Sequence, residues 1–240
     1  MGKVRKMRES LVALVAMGIL GGCASAPPPP TLQSGPDAEV TVDGLYRVDN
    51  SVMELAYMKP GWDLRGYTAM LIDPVTVAYK TDPRGRQRDA GGGTVSGNFA
   101  LSANQMENFK SLFQEAVVDA LSKDGGYRIV DTPGPDVLRI TADLIDLIIA
   151  VPTAAVAANS TMIGRSAGAV TLVMEIRDSQ SGEIIARAAD RRSPGGGFGG
   201  MVQVSPQAVR ADMRRLFESW ATILRERLDD LRTVEIDPAQ

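Results

Sequence analysis

The sequence predicts an α+β domain in which two amphipathic helices cover one face of a single sheet. The sheet is expected to be mainly antiparallel, with about five strands in the chain order β-α-β-β-β-β-α. Two stretches, near residues 102–121 and 205–231, repeat apolar side chains at helical spacing. Several others alternate apolar and polar side chains with the period of a strand. With 44% hydrophobic and 23% charged residues, the 240-residue chain has the composition of a globular protein.

The first half of the chain provides one strand and one helix. Residues 68–79 form a β-branched apolar run that is typical of a strand. Pro74 lies inside it and cannot donate to a ladder, so we expect an edge position or a bulge there. Ser102 and Gln105 match the capping box that opens a helix, and the glycines at 125–126 end it. We expect residues 46–62 to be irregular, with a turn just before Trp62.

The second half is dominated by strands. A short strand is expected at 127–131, and a longer one begins at Val137, with its alternation interrupted at Ile145–Asp146 by a bulge or strand end. Residues 170–177 and 183–191 alternate in the same way on either side of a turn, as a hairpin does. The last helix is expected to begin at Ser205–Pro206 and to run through Leu231.

The first 23 residues have the features of a secretory signal. Four Lys or Arg residues precede an apolar run at 11–20, which is too short to span a bilayer. The run ends in Leu20-Gly21-Gly22-Cys23, which resembles the bacterial lipobox, in which the cysteine receives a diacylglyceryl group and an N-acyl chain. Ordinary cleavage after Ala26 is the alternative, and Pro27 disfavours it.

Lipidation at Cys23 would divide the chain into four parts. These are a signal peptide (1–22), a lipidated proline-rich tether (23–45), one periplasmic domain (46–234) and a C-terminal tail (235–240). The mature chain would carry a net charge of −6, against −3 for the whole sequence, which disfavours nucleic-acid binding. Ala24 follows the cysteine, and by the usual sorting rule this favours the periplasmic side of the outer membrane.

Several short motifs together resemble a known family. They are Ile72-Asp73-Pro74-Val75, the stretch 177–186, Asp190-Arg191-Arg192, Trp220 and the stretch 224–228. In this order, and with the lipobox, they resemble the proteobacterial lipoproteins grouped as domain of unknown function 3313, over residues 46–231. The resemblance implies an envelope lipoprotein without an assigned reaction or catalytic residues.

Composition excludes most familiar catalytic machinery. The chain has no histidine, and its single cysteine can form no internal disulfide. Asp143 and Asp146 could form an acid/base or metal pair only if a bulge brought them to one face. No phosphate-binding glycine motif is present. We therefore expect no enzyme, no metal and no cofactor other than the covalent lipid.

One long, nearly uncharged segment, residues 147–169, is unusual for a surface connection. It is either a loop packed on the sheet or a surface that binds a partner, another subunit or the membrane. The candidate contact residues are Ala154, Val156, Met162, Ile163 and Arg165.

The function that these features favour is a non-enzymatic binding or accessory module for another envelope component, either a protein or a cell-wall polymer. Two alternatives remain open: a carboxylate-dependent hydrolase acting on envelope glycans, and an oligomer that inserts apolar hairpins into the membrane.

Overall fold

The structure is a computed structural model that describes residues 28–81, 101–149, 162–164, 168–193, 202–204 and 206–233. Two helices, α1 (Ala103–Ser122) and α2 (Pro206–Thr233), pack against a sheet of nine strands. Those strands are β1 (Thr31–Leu32), β2 (Tyr46–Asp49), β3 (Leu55–Met58), β4 (Ala69–Ile72), β5 (Thr76–Tyr79), β6 (Arg128–Ile129), β7 (Val137–Ile149), β9 (Gly168–Asp178) and β10 (Ile184–Arg192). β8 (Met162–Gly164) and β11 (Val202–Val204) form a separate antiparallel pair. Neither helix is long and apolar enough, within the described residues, to cross a membrane.

The sheet is mixed and wider than the sequence predicts. Its order is β1-β2-β3-β10-β9-β7-β4-β6, with β5 pairing beside β4 on β7. In this order, every neighbouring pair between β1 and β7 is antiparallel. The remaining three pairs are parallel: β4 with β7, β5 with β7, and β6 with β4. The α+β class is confirmed, but five mainly antiparallel strands is too narrow a description. Helix α1 joins β5 to β6 and provides the long connection that parallel neighbours require.

Pro74 divides the first predicted strand in two. β4 ends at Ile72 and β5 begins at Thr76, and both pair with the same long strand, β7. The Asp73 amide still donates to the Ile140 carbonyl at 2.9 Å, so pairing stops at the proline itself. Residues 73–75 face only residues 141–142 of β7, so the expected bulge is present. β4 is not an edge strand, because it lies between β6 and β7.

The expected bulge near Asp146 is also confirmed. The register of β7 against β9 shifts between Ile145 and Ile148. Asp146 has a φ of 52°, in the left-handed region that aspartate tolerates better than most residues. The bulge allows the apolar alternation to resume with Leu147, which is buried.

The two helices cover the same sheet face and pack against each other. The capping box predicted for α1 is present: the Ser102 side chain accepts from the Gln105 amide, and the Gln105 side chain accepts from the Ser102 amide. Phe217 of α2 meets Phe109 and Phe113 of α1 edge to face, with ring centroids 5.2 and 5.3 Å apart. This aromatic group lies in the core between the helix pair and the inner residues of β7, β9 and β10.

Residues 46–62 were expected to be irregular, but residues 46–49 and 55–58 form β2 and β3. Upstream of them, β1 pairs antiparallel with β2, and Leu45 is fully buried. The Gln33 amide donates to Arg47 at 2.8 Å, and the Arg47 amide donates to Glu39 at 3.0 Å. The part of the expected tether that follows Pro30 therefore packs on the domain instead of extending away from it.

Candidate functional site

An apolar cavity lies between the C-terminal half of α2 and the inner face of the sheet. Its volume is about 480 Å³, within the range of small-molecule sites. The sheet wall comes from β1, β2, β3, β9 and β10, and the helix wall comes from residues between Trp220 and Leu231. The remaining side comes from Pro29, Pro30 and the turn at 51–53. The innermost lining side chains, all buried, are Met58, Leu172, Met174, Trp220, Leu224 and Leu228.

Small side chains in the sheet account for the space. Ala56 of β3 and Ala188 of β10 are direct cross-strand partners, and Ala186 lies opposite Met58. All three alanines line the cavity. Larger apolar residues at these inward positions would reach α2 and close the gap, as close packing in protein interiors requires.

The cavity opens beside the N-terminal segment. Among its lining residues, Pro29, Val52 and Asp230 are exposed, which places the mouth between the start of β1, the 51–53 turn and the end of α2. Val52 is an exposed apolar residue, with 51% of its surface accessible. The mouth is therefore partly apolar as well.

Charged side chains of the lining are few and already paired. Arg227 donates to Asp230 at 2.8 Å. Arg187 pairs with Glu175 at 2.7 Å and with Asp43 at 3.0 Å. Burial alone would lower the pKa of Arg187, but its bonds to these two carboxylates raise the pKa above the usual value. The cavity offers an aliphatic surface with its charges neutralised within the protein.

A buried carboxylate holds the indole at the cavity wall. Asp190, only 6% exposed, accepts from the Trp220 indole N–H at 2.7 Å and from the Glu54 amide at 3.1 Å. Arg192 donates to the same carboxylate at 2.5 Å and to Ser219 at 2.8 Å. The network links β10, α2 and the segment before β3, so it fixes the position of Trp220.

The opposite face of the sheet is polar and carries ion pairs. Arg187 donates to Glu175 across the β9–β10 pair, and Arg139 donates to Asp73 at 2.8 Å. Asp73 also accepts from Thr141 at 2.9 Å. Alternation along β7, β9 and β10 thus gives the sheet a hydrated outer face and an apolar inner face, and the cavity belongs to the inner one.

The turn between β9 and β10 is tied to the segment before β4. Asp178 accepts from the Ser181 amide at 2.7 Å and from the Tyr67 hydroxyl at 2.8 Å. Burial alone would raise the pKa of Asp178, but these hydrogen bonds lower it below the usual value. Burial, and next the bond to Asp178, raises the pKa of Tyr67 to about 12. The phenol therefore stays neutral in the folded protein at ordinary pH.

Of the candidate contact residues singled out from the sequence, the structure describes two, and neither lines this cavity. Met162 and Ile163 belong to β8, which pairs with β11. Cys23, Ala154, Val156 and Arg165 lie outside the described residues.

The carboxylates considered for catalysis each have another partner. Asp143 accepts from the Thr76 hydroxyl, and Asp146 lies 3.8 Å from Arg191. Among the described residues, no group of three or more His, Cys, Asp or Glu side chains could hold a metal ion.

The cavity could not be predicted from the sequence because it forms only where β3 lies beside β10. The alanines at 186 and 188 are the local sign of it. Small residues on an apolar strand face leave space when the facing helix cannot move closer. That signal identifies a cavity only once Ala56 is known to be the partner of Ala188.

These features define a class: an α+β domain with two helices on one face of a mixed sheet and an apolar cavity beneath the longer helix. The chain belongs to the family described as "Protein of unknown function (DUF3313)", whose model matches residues 43–222. The motifs that carry the resemblance have structural roles: Asp190 binds Trp220, Asp73 binds Arg139, and Asp178 orders its turn.

Solved structures provide only distant likenesses. The PelC dodecamer from Paraburkholderia phytofirmans is 9% identical, with a TM-score of 0.36, covering 71% of this chain and 96% of that one. Protein XCC0632 from Xanthomonas campestris is 12% identical, with a TM-score of 0.40, covering 72% and 93%. A neuraminyllactose-binding hemagglutinin homolog from Helicobacter pylori is 10% identical, with a TM-score of 0.34, covering 72% and 88%. Scores this low transfer no function. No curated protein matches the chain significantly.

Proposed function

We propose that this protein is a non-enzymatic envelope lipoprotein whose domain binds an apolar ligand in the cavity between α2 and the sheet. The observation that supports the proposal is the lining: aliphatic side chains, one indole and three alanines surround about 480 Å³ that the protein's own side chains leave unfilled. A space of this kind favours an aliphatic group, because burying apolar surface is favourable and no buried charge must be matched.

Binding is a better use of this cavity than catalysis. The ionisable side chains of its lining are Tyr57, Arg187, Arg227 and Asp230. The Tyr57 hydroxyl donates to Glu39, and the three charged groups are in ion pairs. A general base needs an available lone pair within reach of the substrate, and a general acid needs an available proton. These four groups are instead bonded to other groups of the protein.

The anchor in this proposal is lipid on Cys23, which holds the domain on the periplasmic side of the outer membrane. The lipobox-like Leu20–Cys23 and Ala24 after it support this placement. In cells given labelled palmitate, the wild-type chain should take up label and the Cys23→Ala chain should not. Equal labelling of the two chains would rule out this anchor.

Ligand binding is tested by filling the cavity. The test uses full chains carrying Cys23→Ala, so that no covalent lipid competes, titrated with cis-parinaric acid, a fluorescent fatty acid. With Ala188→Leu added, the larger side chain projects into the cavity, and we expect affinity to fall at least tenfold. With Ala189→Leu added, affinity should stay within twofold, because Ala189 is the neighbouring residue and does not line the cavity.

The matched pair controls for background. Both variants carry the same first 22 residues and add the same side chain to the same strand, so probe taken up by detergent or by the signal segment cancels. Equal affinity in the two variants would contradict binding in this cavity. Circular dichroism and thermal unfolding of each variant establish that a loss of binding is not a loss of folding.

A further inference from the structure

The chain enters the domain at the mouth of the cavity. Pro29 and Pro30 line the cavity, and Thr31, the next residue, pairs with Asp49 in the first ladder of the sheet. The Pro29 carbonyl also accepts from the Asn50 side chain at 3.4 Å. The segment that leads back to Cys23 is therefore attached to the domain where the apolar space opens.

The distance from Cys23 to the mouth is bounded by chain length. Five peptide units separate Cys23 from Pro28, and each spans at most about 3.6 Å, so the two Cα atoms lie within about 18 Å. Because Pro29 already lines the cavity, a long acyl chain on Cys23 can reach the mouth.

We propose that one acyl chain of the lipid on Cys23 occupies the cavity of its own domain. This inference rests on the proposed function, since it needs both lipidation at Cys23 and a cavity that binds aliphatic groups. The remaining acyl chains of the same anchor stay in the membrane.

Charge favours the protein's own lipid over a phospholipid. A phospholipid that places a tail in the cavity leaves an anionic phosphate at the mouth, where a cation would be needed to bind it. Of the two arginines in the lining, Arg187 pairs with Glu175 on the opposite face of the sheet, and Arg227 pairs with Asp230. The glyceryl thioether and amide of a lipidated cysteine carry no charge, so they need no cation at the mouth.

Covalent attachment favours the same occupant. A ligand tethered by a short linker is present at an effective concentration of about millimolar. The tethered acyl chain therefore competes well with free fatty acid, which must be recruited from the surrounding membrane.

The test is photo-crosslinking of the full-length lipidated protein in cells. The cells are fed palmitic acid with a diazirine in mid-chain, irradiated, and the purified protein is digested with trypsin for mass spectrometry. We expect the lipid-bearing Cys23 peptide to be joined to peptide Leu216–Arg225, which contains Trp220, Ile223 and Leu224 of the cavity wall. The joined species should run as a monomer on a denaturing gel, because both ends belong to one chain.

Ala188→Leu should lower the yield of this crosslink at least fivefold, and Ala189→Leu should leave it unchanged. Crosslinks from peptide Leu216–Arg225 to phospholipid alone, or to Cys23 lipid of a second copy in a dimer band, would overturn the inference while leaving a lipid-binding cavity in place. No crosslink to any lining peptide would overturn the inference and the proposed binding function together. Absence of label on Cys23 would overturn the anchor itself.

Discussion

Trp220 and Asp190 show how single residues shape the binding cavity. The indole is almost fully buried, and its N–H needs an acceptor there. Asp190 is that acceptor, and Arg192 neutralises the carboxylate. The Asp190-Arg191-Arg192 motif therefore holds one wall of the cavity in place.

Replacing Asp190 with Ala should destabilise the domain by about 3 kcal/mol, because the buried indole N–H, the Glu54 amide and Arg192 all lose their acceptor. Urea unfolding followed by circular dichroism measures the loss. Trp220→Phe, which removes the indole N–H donor together with part of the ring, provides the second corner of a mutant cycle. An Asp190→Ala effect below about 0.5 kcal/mol would mean that the network contributes little.

Tyr67 gives the domain a specific sensitivity to alkaline pH. Its pKa is raised to about 12 in the folded protein by burial and by the bond to Asp178, whereas the ordinary value is 10.0. A raised folded-state pKa contributes stability that is fully present below pH 10 and is lost between about pH 10 and 12. Tyr127 is buried and Tyr79 is partly buried, and burial raises the pKa of both, so the loss is shared among three residues.

Tyr67→Phe should therefore make stability fall less steeply between pH 10 and 12 than in the wild type. The measurement is the urea midpoint at half-unit pH steps. The comparison variant is Tyr46→Phe, since Tyr46 lies in β2 and is only half-buried. If Tyr67→Phe and wild type lose stability with the same slope, the raised pKa of Tyr67 is wrong.

At the scale of the elements, a side chain of α2 caps the C-terminal end of α1. The Arg225 guanidinium donates to the Ala120, Leu121 and Lys123 carbonyls at 3.0–3.2 Å. These carbonyls lie in and just after the last turn of α1, where intrahelical partners run out. Gly126 leaves the space that the guanidinium needs, because a Cβ there would collide with Arg225 and with the Leu121 carbonyl.

Arg225→Gln should cost about 2 kcal/mol, because several of these carbonyls lose a charged donor. Arg215→Gln is the matched control. Arg215 lies on the same helix, and its ion pair among the described residues is with Asp212, in a solvent-exposed position. Such pairs contribute about 0–1 kcal/mol. Thermal unfolding by circular dichroism distinguishes the two. Equal shifts in Tm would contradict the capping role of Arg225.

The elements also show what a sequence pattern can reveal. α1, α2, β9 and β10 were predictable because each is long enough to repeat its apolar period several times. β1, β2 and β3 have two to four residues each, too few to show a period. The parallel pairing of β4 and β5 with β7 depends on a connection through α1, which no local pattern encodes.

The same limit explains why the cavity was missed. Its walls combine β3, β10 and α2, residues far apart in the chain, and its defining feature is the absence of large side chains. Cys23, by contrast, was recognisable as a candidate because its motif is local and follows directly after the apolar run.

At the scale of the whole molecule, the structure shortens the expected spacer. An extended tether over residues 23–45 would hold the domain far from the membrane, but β1 pairs in the sheet from Thr31. Residues 24–30 can span at most about 25 Å. We therefore expect a lipidated domain to lie close to the headgroups, with the cavity mouth facing them, since Pro29 lines it.

Inserting a Gly-Ser linker of about twenty residues after Ala26 should move the domain away from the bilayer. The measurement uses a dye attached to a cysteine at position 42, where Val42 is exposed, in chains reconstituted through their lipid anchor. Dye-labelled lipids should quench this fluorescence less in the chain with the longer tether than in the parent chain. A matching insertion in the exposed turn after Ser181 leaves the tether unchanged and should leave the quenching unchanged. Equal quenching in all three chains would contradict a short tether.

The central claim is that the cavity beneath α2 binds an aliphatic chain, and methionine-methyl NMR tests it most directly. Met53, Met58 and Met174 line the cavity, whereas Met70 and Met213 are buried elsewhere. In the full Cys23→Ala chain labelled at methionine methyls, adding palmitic acid should shift the first three signals saturably and leave the other two unchanged. Unchanged signals at Met53, Met58 and Met174, or equal shifts at all five, would contradict the claim.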